Sequence, residues 1–286
     1  MDSSSYFADA DASFSEGQCI LFGVPFEKTS SFRHGADQAP HQIRKASWNF
    51  ETFDLRTGVD LREIKTHDYG DLPVQHCSPQ QMVEEVRSFI KAIRKEKKFP
   101  IAIGGEHSIT PGIVHAYPKD IAVLSLDAHI DFRREYENDM NNHACAVRRI
   151  SDHIPIENIA VVGIRSAEKE EYLEASKLGL FSITAYTIQK KGVTDTIGQI
   201  KNKLKGKKIY LTLDIDVVDP AYAPGTSTPE PYGLTPLQVL EILDAFIPSL
   251  VGFDVVEVCP PYDHGQTALL AARFIRTVIG GILAKE

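Results

Sequence analysis

The stretch Ile209 to Pro231, IYLTLDIDVVDPAYAPGTSTPEP, begins as an apolar, β-branched run and ends in Asp214, Asp216 and Asp219. Such a run reads as a buried strand, because a strand covered on both faces stays apolar at consecutive positions. Carboxylates where it ends need a reason. Two positions apart on an extended chain, Asp214 and Asp216 point to the same side, and their charges repel unless a cation lies between them. Taken by itself, the D-x-D is equally a solvated strand end.

It does not stand alone. Ile121 to Arg133, IAVLSLDAHIDFR, closes a second apolar run with Asp127, His129 and Asp131, again on alternate positions of one face. A third run, Pro100 to Ile103, leads into Gly104, Gly105, Glu106, His107 and Ser108, where glycine lets the backbone turn in a space that a side chain would fill. His107 alone would be an ordinary surface histidine. Together the strand ends offer His107, Asp127, His129, Asp131, Asp214 and Asp216, a set whose carboxylates are strongly unfavourable in one place without compensation. Two divalent cations bring it to about neutral. Oxygen-rich ligation with imidazole and no thiolate suits Mn(II) best and also admits Fe(II), Co(II), Ni(II) or Zn(II), since affinity order alone does not choose.

Apolar runs and helical patterns alternate along the chain. Strands are expected at Cys19 to Val24, Ile64 to Tyr69, Pro100 to Ile103, Ile121 to Leu126, Ile159 to Gly163, Leu180 to Thr184, Lys208 to Leu213 and Leu250 to Glu257. Helices are expected at Ser78 to Glu96, Ser166 to Lys177, Val193 to Lys205, Thr235 to Ala245 and Thr267 to Ala284. This alternation predicts an α/β fold of parallel strands joined by helical crossovers; an open sheet and a closed eight-fold barrel both satisfy it. In either, ligands gather beyond the carboxyl ends of the strands, where all the proposed metal ligands fall. The 286 residues suit one large domain, and the Pro- and Gly-rich segment from Pro220 to Pro236 reads as an active-site loop within it.

Two adjacent cations lower the pKa of a shared water and present hydroxide to an electrophile, so the site predicts metal-assisted hydrolysis. From the pattern alone the electrophile is an amide, a phosphoester or a guanidinium. Glu257, at the end of the last strand, repels phosphate and can pair with a guanidinium through two parallel hydrogen bonds; a structural salt bridge is its other reading.

The hydrophobic fraction of 43% and charged fraction of 24% describe a soluble globular protein. The net charge is -8, and no basic stretch is concentrated enough to track a nucleic acid. The longest basic run, Arg94 to Lys98, reads as a solvated helix end that complements the helix dipole. The opening MDSSSYFADADASF lacks a secretory signal's basic start and apolar centre, and no segment approaches the roughly 20 apolar residues of a membrane span, so the cytoplasm is expected. Cys19, Cys77, Cys145 and Cys259 have no CxxC spacing and read as reduced, mostly buried thiols. Cys145, two residues after His143, leaves a thiol nucleophile formally open, although nothing nearby activates it.

GGEHS, SLDAHIDFR and LTLDIDVVDPAYAPGTSTPEP resemble, in order and spacing, the three metal motifs of the ureohydrolase family, which includes arginase, agmatinase, guanidinobutyrase, proclavaminate amidinohydrolase and formiminoglutamase. Gly23 to Ser47 is similar to the amino-terminal stretch of agmatinase-type members, and EVCPPYD, Glu257 to Asp263, to the family's last active-site strand. The resemblance implies an open three-layer α/β/α sandwich around an eight-stranded, mainly parallel sheet, as a single arginase-like domain over residues 1–286. It implies that His107, Asp127, Asp131 and Asp214 hold one Mn(II), that Asp127, His129, Asp214 and Asp216 hold the other, and that Asp127 and Asp214 bridge them. Glu257 then binds the substrate guanidinium, and His143 shuttles protons, within an NNHACAVRR context where the family more commonly has His-Gly. Asp219 has no ligand match and reads as support for its loop.

For the amine tail, the position of a substrate-holding Asn in arginase-type members carries Arg133, followed by Arg134, Glu135, Tyr136, Glu137 and Asp139. Acids on a loop over the mouth favour a cationic tail; Arg133 welcomes a carboxylate unless Glu135 or Glu137 occupies it. The amino-terminal stretch and PGTSTPEPYGLT tip the expectation toward agmatine, cleaved to urea and putrescine in polyamine biosynthesis, ahead of aminopropyl agmatine, guanidinobutyrate and arginine. A small guanidine substrate and a homo-oligomer, trimer or hexamer, are the partners implied, with neither nucleic acid nor membrane. Two further readings stay open: a non-catalytic regulatory protein on the same fold, and a deacetylase with one metal per chain.

Overall fold

A computed structural model describes residues 6–283. Eight strands form one sheet: β1 (Cys19–Val24), β4 (Thr66–Asp71), β5 (Phe99–Gly104), β6 (Ala122–Leu126), β7 (Ile159–Ile164), β8 (Phe181–Thr184), β9 (Ile209–Asp214) and β10 (Leu250–Val256). Their order is β4-β1-β5-β10-β9-β6-β7-β8, and every neighbouring pair is parallel. The sheet is open, with two edges, so the barrel alternative is excluded. A small antiparallel ribbon, β2 (Phe53–Asp54) with β3 (Val59–Asp60), had no sequence signal beyond its turn.

Consecutive side chains of each strand go to opposite faces, and both faces are apolar. On one face Phe22, Ala102, Val123, Val161 and Tyr210 pack with Met82, Val86, Ile90 and Ile93 of α2 (Pro79–Lys95). On the other, Leu21, Ile103, Leu124, Leu211 and Val255 pack with residues of α1 (Ala39–Ser47), α8 (Pro236–Phe246) and α9 (Gln266–Leu283). The expected three layers are present. The remaining helices are α3 (Thr110–Val114), α4 (Ala146–Ser151), α5 (Lys169–Lys177), α6 (Ala185–Lys191) and α7 (Val193–Lys203).

The expected strands are all found, each within a residue or two. The largest slip is β4, shifted from Ile64–Tyr69 to Thr66–Asp71: it is an edge strand, half exposed, and its THDYGD sequence carries no apolar run. Helices α2 and α8 start where capping boxes place them, Ser78 with Gln81 and Thr235 with Gln238, each with proline at the first helical position. Helix α5 starts at Lys169 rather than Ser166, capped by Glu168. For α9, the expected end at Ala284 lies outside the described residues, as do Met1 to Ser5 of the acidic start. Helices α1, α3, α4 and α6 were not anticipated; each is short, and propensity over one or two turns is too weak to signal against tertiary packing.

Candidate metal centre

The four adjacent central strands, β5, β10, β9 and β6, deliver every expected ligand at their carboxyl ends. Register sets the level: Leu126 pairs with Leu213 and Val256 with Asp214, so Asp127, Asp214 and Glu257 emerge side by side. Beyond β5, Gly105 allows the backbone to pass against Phe26, whose carbonyl oxygen would lie 2.1 Å from an added Cβ. That close approach, more than the turn itself, requires glycine here.

His107 is fully buried, with Nδ1 3.2 Å from Asp127 Oδ2, 3.2 Å from Asp131 Oδ2 and 3.5 Å from Asp214 Oδ2. His129 Nδ1 lies 2.9 Å from Asp216 Oδ2 and 3.7 Å from Asp127 Oδ1. Two overlapping groups result, His107–Asp127–Asp214 and Asp127–His129–Asp216, and each is compact enough for one ion. The six residues expected to meet do meet, with Asp127 common to both groups.

The polar atoms of this cluster are arranged as donors to a cation. His107 Nδ1 and Asp127 Oδ2 are buried without any hydrogen-bond partner. Thr212 explains the first: its hydroxyl donates to Asp254 at 2.6 Å and therefore accepts from His107 Nε2–H at 3.0 Å, which leaves the Nδ1 lone pair bare. Other carboxylate oxygens are fixed by backbone amides, Ala128 N–H to Asp216 Oδ1 at 2.9 Å and Asp216 N–H to Asp214 Oδ1 at 2.9 Å. Electrostatics agree. Burial, followed by the charges of Asp216 and Asp127, pushes Asp214 well above the carboxylate range, and burial together with Asp127 takes Asp131 to about 7. Burial opposes charge on His107 and His129, yet the surrounding carboxylates outweigh it and hold both well above the usual imidazole range. The cluster thus takes up protons where positive charge is lacking, and its donor set fits a pair of divalent cations.

Glu257 sits in the left-handed region, φ 64°, at the end of β10, a conformation that costs a non-glycine residue about 1 kcal/mol or more. The kink turns its carboxylate toward the cluster: Oε1 accepts from His107 N–H at 2.6 Å, and Oε2 is buried without a partner. No cation pairs with it among the described residues, so the structural salt bridge is absent. Burial raises its pKa to about 8.

His143 opens the turn before α4 and lines the same cavity of about 370 Å³ as His129, Asp131, Arg133, Glu230 and Glu257. It does not touch the cluster. Thr29 holds it, accepting from the His143 backbone N–H at 3.0 Å and facing Nδ1 at 3.3 Å, while its own hydroxyl donates to Glu106 at 2.7 Å. The Thr29 proton being committed to Glu106, Nδ1 carries the histidine proton and Nε2 keeps a lone pair. Burial lowers the pKa of His143 to about 4, so it is neutral near pH 7.

Several supporting residues escaped sequence reasoning. Glu106 takes the amides of Lys28 and Thr29 and the hydroxyls of Thr29 and Ser108, tying the Gly23–Ser47 stretch to the β5 turn. Arg165 donates to the carbonyls of Asp216, Val217 and Glu230, fastening the Pro220–Pro236 loop to the β9 end. Glu230 comes within 3.7 Å of His129 Nε2. The sole signal is a lone charge, after a strand for Arg165 and in a Pro- and Gly-rich loop for Glu230, too common to single out. Asp219 supports its loop as expected, accepting from Ala221 N–H at 2.9 Å and Gly233 N–H at 2.8 Å.

The reading of the loop around Arg133 needs correction. The partner of Arg133 is neither Glu135 nor Glu137 but Glu171 of α5, at 3.6 Å, with Tyr136 stacked at 4.5 Å. Glu137 and Asn138 occupy a tight left-handed turn that carries their side chains away. The acids at the cavity are Glu168, Glu171 and Glu230 instead of Glu135, Glu137 and Asp139. Cys145 is buried, and burial pushes its thiol up to about 12, which removes it as a nucleophile. Cys19 and Cys259 are buried too, whereas Cys77 is half-buried.

An open parallel sheet whose central strand ends gather aspartates and histidines around room for two cations defines a metal-dependent hydrolase architecture. Residues 17–280 match the arginase family. The chain is 35% identical to an agmatinase of Bacillus anthracis over 96% of its own length and 95% of that protein's. It is 35% identical to an N(1)-aminopropylagmatine ureohydrolase of Thermococcus kodakarensis, over 92% and 90% of the two chains. The crystal structure of agmatine ureohydrolase of Thermoplasma volcanium superposes with a TM-score of 0.94 at 36% identity, covering 98% of this chain and 94% of that one. The chain belongs to the arginase family.

Proposed function

We propose that the protein is an agmatinase, hydrolysing agmatine and water to urea and putrescine as one catalytic domain over residues 1–286. The observation that carries this reading is the trio of buried, unpartnered atoms at the central strand ends: His107 Nδ1 and Asp127 Oδ2 aimed at a cation, and Glu257 Oε2 beside them, available to a guanidinium. Relatives named as agmatinases and agmatine ureohydrolase support the substrate.

His107, Asp127, Asp131 and Asp214 would hold one ion, and Asp127, His129, Asp214 and Asp216 would hold the other. Mn(II) suits the oxygen-rich donor set. When bound, the ions lower the pKa of water to supply the nucleophile and neutralise the four carboxylates. Glu257 orients the planar guanidinium with its carbon toward the cluster. Its carboxylate needs no other counter-ion. His143, neutral and with its Nε2 lone pair available, takes up a proton and passes one to the amine nitrogen as the carbon–nitrogen bond breaks. Glu168 and Glu230 give the cavity the negative walls that suit a cationic tail, and Glu171 occupies Arg133, which would otherwise attract a carboxylate. A cytoplasmic homo-oligomer, trimer or hexamer, completes the proposal. No helix among the described residues is long and apolar enough to cross a membrane.

The test is urea release from agmatine, aminopropyl agmatine, guanidinobutyrate and arginine side by side with Mn(II) added. Agmatine is expected to have the highest kcat/KM; a preference for any of the others overturns the substrate assignment, and no urea from any overturns the chemistry.

A further inference from the structure

The opposite end of the sheet carries a second cavity, of about 660 Å³, larger than the one above the metal cluster. It opens at the amino-terminal ends of β5, β6, β9 and β10, where Phe99, Ile121 and Val251 with Tyr117 form an apolar wall. Its rim is basic: Arg94, Lys97, Lys98, Lys207 and Lys208 surround it, against the single acid Asp120. In a chain of net charge -8 that is a local inversion of sign.

The cations come from separate stretches. Arg94 to Lys98 ends α2, and instead of pointing uniformly into solvent as the sequence suggested, it turns into the cavity through Lys97, whose φ is 56°. Lys207 and Lys208 precede β9, more than a hundred positions later. Lys98 is already committed, donating to the carbonyls of Ser15 at 2.9 Å and Gly17 at 2.7 Å. Arg94 is held in place, its Nη1 donating to the Ala116 carbonyl and its guanidinium carbon 4.3 Å from the Tyr117 ring centroid. Its Nε and Nη2 have no acceptor among the described residues. Neither do Lys97, Lys207 and Lys208 form an ion pair with any described carboxylate.

We propose that this cavity binds a small organic polyphosphate, its anionic groups meeting Lys97, Lys207, Lys208 and the fixed Arg94, and its apolar body lying against Phe99, Tyr117 and Val251. Three lysines without an ion pair, together with the free Nε and Nη2 of Arg94, exceed what one monovalent anion needs, and the volume falls in the range of small-molecule sites. Phe99 and Val251, the half-buried part of the wall, distinguish an organic phosphate from a bare inorganic one, which would leave them wet.

The test is calorimetric titration of the metal-loaded protein with the magnesium salts of adenosine triphosphate and of inorganic triphosphate at about 0.15 M ionic strength, where exposed charges alone are largely screened. Saturable binding of one nucleotide per chain is expected, with inorganic triphosphate at least about tenfold weaker. Lys97→Gln, Lys207→Gln and Lys208→Gln combined should weaken the nucleotide at least about tenfold while leaving urea release from agmatine unchanged, and Asp120→Asn should tighten it. That gain cannot arise from misfolding. Absence of saturable binding, binding that survives the triple substitution, or inorganic triphosphate binding as tightly as the nucleotide overturns the proposal.

Discussion

Substitution of Glu257 by glutamine isolates the guanidinium contact from the metal cluster. The amide can still accept from His107 N–H through Oε1, so the 2.6 Å bond that seats the His107 turn is kept. What is lost is the charge on the buried and otherwise unpartnered Oε2, and an NH₂ group facing a guanidinium cannot accept from it. A hydrogen bond to a charged group contributes about 1.5–3 kcal/mol, and a desolvated bidentate pair more. The expected loss is about 3–4 kcal/mol in transition-state binding, or two to three powers of ten in kcat/KM for agmatine. Urea release is followed alongside bound metal per chain. With metal content unchanged, a kcat/KM within about threefold of the parent would refute the idea that Glu257 binds substrate. Metal lost in proportion to activity would make Glu257 a prop for His107 instead.

Asp127→Asn should abolish hydrolysis and remove most bound metal, since Asp127 belongs to both ligand groups; full activity at unchanged metal content rules out its bridging place. Thr29→Val deletes the acceptor for the His143 backbone N–H and for Nδ1–H, and kcat should fall about tenfold with little change in KM, as steady-state kinetics would record. Because the folded pKa of His143 is depressed from 6.5 to about 4, the folded chain binds fewer protons than the unfolded one in between. Stability should therefore fall as pH drops from 6.5 toward 4, with on the order of 1–3 kcal/mol from this group, and denaturant titrations of His143→Gln should show a shallower slope. Cys145→Ser should keep most of its activity, because a thiol held near 12 is not the nucleophile.

The sheet was legible because its strands are buried on both faces and so are written as unbroken apolar runs; β4, at the edge, broke that rule and was displaced. Asp127, His129, Asp131, Asp214 and Asp216 were legible for a local reason, two-residue spacing at the end of such runs. What local spacing cannot encode is convergence. Thr29 reaches His143 across more than a hundred positions, Arg165 joins two loops through their carbonyls, and Arg133 finds Glu171 on a helix rather than the acids beside it. The agmatinase resemblance supplied the architecture that periodicity left undecided between sheet and barrel.

The last of the eight large-sheet strands to leave an elongating chain is flanked by the third and the seventh in space, a consequence of placing β10 between β5 and β9. Until residues 250–256 are made, the middle of the sheet is a gap, and the groups on either side have nothing to hold them at a common height. Ion capture is therefore expected to follow synthesis rather than guide it, which makes a loaded centre a certificate that the last piece has been inserted.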